Sequence, residues 1–355
     1  MRWLLSTLCT RIMMIAFWIS VIFAFLFLPS VTRFGYEQKS LNLFIFPVIL
    51  DPHVLAQFEQ ETGVKVYINY YETNEELYSK LKATQGEGYD IIVPTDYTVE
   101  VLISDGLLKK IDKTKLPMLQ QIRPDLMGNY FDPNNEYSIP YYMSVFGLGI
   151  NKEYFKGVLP DPTWALVFDR NLVKTDICML DSIRESIFLA SLYIYGNSNF
   201  DDPKTQLIAI EELLRTQKQW VDVYTSNRIE ELLASGSCPV AIGTSPDVWK
   251  AAHEYPNIEF VMPQEGSFLT IDSFVIPKST TKDVLIYQLL NYLYRPEVLA
   301  VSSLSYGFCS PLQDVEQVSP SIFCPTNEQF KKLHFFENVL TKTQMQDVLL
   351  AVKAY

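Results

Sequence analysis

Three histidines in 355 residues leave little material for imidazole acid–base catalysis or a histidine metal site. Carboxylates are plentiful by contrast: 41 Asp and Glu stand against 29 Lys and Arg, a formal net charge of −12. That balance argues against a general nucleic-acid binder, which needs a basic surface to displace counterions. It is compatible with a cationic ligand. A carboxylate meeting an ammonium group makes a charge-assisted hydrogen bond. An aromatic face attracts a cation by roughly 0.5–2 kcal/mol, and Phe, Trp and Tyr supply 14% of the chain. Two acids have informative surroundings. Asp272 sits between apolar residues at a strand start. Glu185 ends Ser182-Ile183-Arg184-Glu185, which also reads as a capping box, so its carboxylate has a purely structural alternative. As an acid/base pair across a cleft they would suit an enzyme, yet neither a nucleophile motif nor a phosphate loop accompanies them.

Cysteine spacing adds a constraint. Cys178, Cys238, Cys309 and Cys324 follow the N-terminal region, and none forms Cys-x-x-Cys, so redox and zinc readings lack their spacing. Cys309 and Cys324 are close enough in sequence to pair, while free buried thiols remain equally open.

These residues are carried by alternating strand and helix patterns, the signature of α/β architecture. Residues 41–50 read as a buried strand. Asp51-Pro52 opens a helix that Gly63 stops. Residues 64–70 alternate as a second strand, Thr73-Asn74-Glu75-Glu76 opens a second helix, and 89–94 form a third strand before a helix through Leu102. Phe131-Asp132-Pro133-Asn134-Asn135 precedes a long extended stretch, 137–150, that could cross into a second domain. The α/β style then repeats: strands at 177–180, 240–242, 258–262 and 273–277, and helices from Ser182, near 207–219 and over 284–293.

The N-terminus reads as an address or an anchor. Arg2 and Arg11 precede an apolar run from Met13 to Leu28, broken by Ser20, and no acid appears before Glu37. Residues 1–30 are therefore a cleaved export signal or an uncleaved anchor, and both place the body outside the cytoplasm. Without them the charge is −14, because Arg2 and Arg11 leave and no acid does.

Five ordered segments then carry a resemblance: Phe58-Glu59-Gln60-Glu61-Thr62-Gly63-Val64-Lys65-Val66, Tyr71-Glu72-Thr73-Asn74-Glu75, Tyr89-Asp90-Ile91-Ile92-Val93-Pro94-Thr95, residues 131–141, and Ile271-Asp272-Ser273-Phe274-Val275-Ile276-Pro277. Together they resemble the spermidine/putrescine-binding proteins, extracytoplasmic solute-binding components of ABC importers. The resemblance implies an α/β, two-lobed periplasmic-binding-protein fold of type II, each lobe a mixed sheet flanked by helices and joined by crossover strands. Lobe 1 would take residues 38–147 plus 272–316, and lobe 2 residues 148–271 plus 317–355. It implies a monomer in the periplasm that closes on a polyamine by hinge motion and hands it to an inner-membrane permease with its ATPase. Membrane contact would come only through the N-terminal segment, with no nucleic acid, cofactor, metal or catalysis.

Residue by residue, the resemblance assigns Asp272 and Glu185 to the amines. Ser182 stands where the family has another acid, for which Asp181 could substitute. Thr95 and Tyr97 match, and Asp96 between them is an extra acid. The aromatic box departs from the family. Phe46 replaces a tryptophan, Ile49 and Phe308 replace tyrosines, and Gly243 and Thr270 stand at further tryptophan positions. Glu337 aligns loosely with a C-terminal polar contact. The same fold could instead serve another small organic cation or amino compound, or be an exported scaffold. Tyr70-Tyr71 and Tyr141-Tyr142 also resemble the tyrosine pairs of ferric-iron-binding relatives.

Overall fold

The computed structural model describes residues 13–23, 39–225, 228–313 and 321–354. Residues 13–23 form an exposed helix, α1. Among the described residues no helix is long and apolar enough to cross a membrane. The rest of the expected export segment lies outside the described residues.

The body opens with β1 (Ser40–Ile45), α2 (Pro52–Thr62), β2 (Lys65–Tyr70), α3 (Asn74–Thr84), β3 (Ile91–Val93) and α4 (Asp96–Ser104). Local chemistry sets these limits. Asp51 accepts from the His53 amide to cap α2, and Gly63 ends that helix at φ 71, a conformation that costs glycine least. Thr73 caps α3 by accepting from the Glu76 amide. β1 is shorter than expected. Pro47 has no N–H for the ladder and Val48 sits at φ 60, so the chain leaves the sheet after Ile45. The turn over residues 46–49 becomes a wall of the cleft.

β4 (Ser138–Asn151) leads to α5 (Ala165–Phe168), β5 (Ile177–Met179), α6 (Ile183–Tyr195), α7 (Pro203–Gln217), β6 (Val221–Tyr224), α8 (Ile229–Ala234), β7 (Val240–Thr244), α9 (Ser245–Glu254) and β8 (Ile258–Val261). β9 (Ser267–Val275) starts earlier than its apolar sequence suggests. It is followed by α10 (Asp283–Leu293), α11 (Pro296–Tyr306), α12 (Asn327–Phe330), β10 (Leu333–His334) and α13 (Lys342–Lys353).

The strand order is β2-β1-β3-β9-β4-β7-β5-β6, with β10 on β9 and β8 on β4. Two parallel units, β2-β1-β3 and β7-β5-β6, are thus joined through the antiparallel pair β4 and β9. β4 changes partner along its length. Ser138–Val145 pair with β9, whereas Phe146–Asn151 pair with β7 and β8. The core changes at the same point. One apolar cluster gathers residues from 41–145 and 269–312 together with Met262; a second gathers 146–258 and 336–352 together with Phe268. β8 approaches β4 closely at Gly147, where a Cβ would lie 2.5 Å from the Phe260 ring. Disulfides join Cys178 to Cys238 and Cys309 to Cys324, with Cα separations of 5.7 and 5.3 Å.

Candidate binding cleft

Three strand-to-helix junctions face one another. β3 passes through Thr95 into α4, β5 through Ser182 into α6, and β7 through Thr244 into α9. A helix N-terminus exposes unpaired N–H groups and a partial positive charge, so acids in its first turn are favoured. With the 46–49 turn, β4 and β9, these junctions line a cleft of about 240 Å³. Among the described residues its lining holds three carboxylates, Asp272, Glu185 and Asp247, and no Lys, Arg or His.

Asp272 projects from β9, and its Oδ1 accepts from Thr95 Oγ1 at 2.6 Å. Asn74 Nδ2 in turn donates to Thr95 Oγ1 at 3.2 Å and to the Tyr97 hydroxyl at 2.8 Å. Thr95 therefore orients the acid instead of capping α4. Burial pushes the Asp272 carboxyl up to about 6. Glu185 lies in the first turn of α6. Ser182 makes no side-chain cap there, and Glu185 Oε2 is buried without a hydrogen-bond partner. The capping-box alternative is not formed. Burial raises the Glu185 pKa, opposed by the neighbouring Arg184. Asp247 holds the matching place on α9, its Oδ2 accepting from Thr244 Oγ1 at 2.5 Å, and burial raises it as well.

The apolar walls are Phe46, Tyr97, Tyr142, Phe146, Ile49 and Leu180. Phe46 is 42% exposed and meets Tyr71 edge-on at 5.6 Å. Tyr97 already carries a cation: the Arg184 guanidinium lies 4.6 Å from its ring centroid. Phe46 and Tyr142 therefore remain the freer aromatic surfaces for a ligand.

Asp272, Glu185, Thr95, Tyr97, Phe46 and Ser182 thus meet in one place, and Ile49 and Thr270 join them. Four expected contacts lie elsewhere. Asp96 is fully buried behind the cleft, accepting from the Tyr97 amide at 2.6 Å and the Ile271 amide at 2.9 Å. Burial pushes its carboxyl up to about 8. It anchors β9 one residue before Asp272 instead of facing solvent. Phe308 is also fully buried, packed behind Tyr142 at 4.6 Å. Asp181 and Glu337 are exposed and outside the lining. Sequence reasoning missed Asp247. Strand alternation separates the tyrosine pair: Tyr141 is core, while Tyr142 pairs with Asp272 across the sheet and faces the cleft.

A larger cavity, about 580 Å³, adjoins the Cys309–Cys324 disulfide. Among the described residues its one carboxylate is Asp125, which Arg123 holds at 2.6 Å. The acidic cleft is the better candidate despite its smaller volume.

Residues 53–332 match the bacterial extracellular solute-binding protein family. The chain belongs to that family. It is 32% identical over 331 residues to the putrescine-binding periplasmic protein SpuD of Pseudomonas aeruginosa, spanning 87% of this chain and 89% of the relative. It is 31% identical over 325 residues to the putrescine-binding periplasmic protein PotF of Escherichia coli, spanning 85% and 88%. Among solved structures, the spermidine/putrescine ABC transporter substrate-binding protein PotD of Streptococcus pneumoniae superposes with a TM-score of 0.77 at 25% identity, covering 89% of this chain and 99% of that one. The fold is the two-lobed type II solute-binding architecture, with the β4–β9 pair as its crossover.

Proposed function

We propose that this family member is the exported, periplasmic substrate-binding component of a polyamine ABC importer. The observation that carries the reading is the cleft lining: among the described residues, three carboxylates and no basic side chain. Buried carboxylates are costly to ionise alone and become favourable when ammonium groups neutralise them. A polyamine supplies such groups at methylene spacing, and Phe46 and Tyr142 give its methylenes flat walls. Relatives named for putrescine and spermidine support the same ligand class. Lobe 1 takes residues 38–147 and 272–316, and lobe 2 takes 148–271 and 317–355; two separate apolar cores support a two-lobed division, although Leu269, Ile271, Phe323 and Cys324 pack with the first core and Phe146 with the second. The partners are a permease and its ATPase. Binding and hand-over need no bond making, so the protein acts as a carrier and not as an enzyme.

A second reading, another small organic cation, draws on the box itself. Ile49 and Thr270 replace aromatics, and Arg184 covers one face of Tyr97. Thermal melting with putrescine, spermidine, cadaverine, amino acids and ferric citrate separates the two. A ligand at 100 times its dissociation constant adds about 2.7 kcal/mol of stability. We expect at least one polyamine to raise the melt. No shift with any polyamine at millimolar concentration would remove the ligand assignment and leave the fold untouched.

A further inference from the structure

Trp249 belongs to neither apolar core, yet it is only 7% exposed. It lies on α9 two residues after Asp247. Its indole is seated from outside that helix. Nε1 donates to Ser321 Oγ at 3.0 Å, and the ring lies so close to Gly307 that a Cβ there would come within 2.3 Å of it. His253, one turn further on, stacks on the indole at 5.1 Å. Gly307 lies two residues before Cys309, and Ser321 three residues before Cys324, inside the loop the disulfide closes. Cys309 bridges to Met143 of β4, and Arg123 Nη1 lies 3.5 Å from its sulfur. Phe323 and Cys324 pack on the first core. Phe323 also meets Phe260 of β8 at 4.7 Å, a residue that touches both cores. The disulfide-linked residues are therefore fixed to the first core and reach across to α9 and β8.

We propose that the described residues on either side of this disulfide, 307–309 and 321–324, form a brace that positions Asp247 in the cleft. The disulfide holds Gly307 and Ser321 in register, those two residues seat the indole of Trp249, and Trp249 sets the placement of the first turn of α9. Trp249 and the Cys309–Cys324 pair act on the ligand through Asp247 without touching it. The affinity part of this inference rests on the reading of Asp247 as a cation contact; the brace itself does not.

The test compares the protein with Cys309→Ser/Cys324→Ser and with Trp249→Phe, which keeps a ring and loses the N–H donor. Hydrogen exchange without ligand reads the brace directly. Amides 247–251 should exchange about tenfold faster in both variants, with those of β1 unchanged. Calorimetric titration with putrescine and spermidine reads the consequence. Dissociation constants should rise about tenfold, and the same substitutions in an Asp247→Asn background should add nothing further. Unchanged exchange in α9 overturns the brace whatever the ligand. An equal affinity loss with and without Asp247→Asn also overturns it, because the effect would then not pass through Asp247. If neither amine binds the unaltered protein, the polyamine reading fails and the exchange result alone decides the brace. If the double serine variant does not fold, Trp249→Phe is read by the same criteria.

Discussion

Asp272 ionises less readily than an exposed aspartate because burial strips water from its charged form, which pushes its carboxyl up to about 6. The raised value means that the ligand-free fold holds this proton more tightly than the unfolded chain does. Its stabilising contribution is complete below about pH 3.9 and is lost as pH rises through about 6. Glu185 and Asp247 shift in the same direction, burial being the first cause in each. A cationic ligand has the opposite requirement, since it needs these groups charged. Affinity for putrescine should therefore strengthen from about pH 5 to about pH 7, as titration calorimetry would show; a flat profile would take Asp272 out of the site. Asp272→Asn keeps an oxygen for the Thr95 hydrogen bond and removes the charge. Near neutral pH it should make the ligand-free protein more stable, by on the order of 1 kcal/mol, while abolishing the polyamine-induced shift in melting. A lower ligand-free melt would show that the charge is already compensated. Much of this site was legible in the sequence, because type and order marked Asp272, Glu185, Thr95 and Tyr97. Asp247 was not. Thr244-Ser245-Pro246-Asp247 reads as a helix start just as Ser182-Ile183-Arg184-Glu185 does. Thr244 does cap α9 whereas Ser182 caps nothing, yet both acids face the cleft.

At the scale of elements, the cleft is made where strands end and helices begin. Ligand groups in open α/β sheets gather at the carboxyl ends of strands, and β3, β5 and β7 each deliver a helix N-terminus there. The alternation of strand and helix was readable from apolar runs and capping residues. The direction of a side chain at the first helical position was not. Asp96 looks like a cleft acid by sequence, but α4 turns it inward onto β9, where its oxygens accept from Ile271 and Tyr97 amides. Asp96→Ala would orphan the buried Ile271 N–H beside Asp272. Denaturant unfolding should show a loss of about 1–3 kcal/mol, accompanied by weaker binding as β9 shifts. Undiminished stability would mean that solvent or another side chain replaces those bonds. The early end of β1 was missed for a related reason. Residues 46–50 are apolar enough for a strand, but Pro47 and the positive φ of Val48 turn 46–49 into cleft wall.

For the whole molecule, net charge says little, since among the described residues three acids line the cleft while most lie elsewhere. What matters is where the three are rooted. Asp272 stands on β9 within the first core, while Glu185 and Asp247 stand on helices that pack on the second. A polyamine contacting all three ties the cores together, so it favours the conformation in which they are close. Closing contacts are present at the cleft rim: Asn338 Nδ2 donates to the Tyr97 carbonyl at 2.9 Å and to Glu100 Oε2 at 2.7 Å, and Arg184 lies over Tyr97 while donating to the Phe336 carbonyl at 3.3 Å. A hinge between the lobes would have its pivot in β4, whose partner and core both change between Val145 and Phe146. Small-angle scattering should then give a smaller radius of gyration with saturating ligand than without it. Asp272→Asn should keep the larger value at every ligand concentration, because the first core would have no charge to share with the second. An unchanged radius in a protein whose melt does respond to ligand would mean that binding occurs within an already closed cleft, and the hinge mechanism would be rejected.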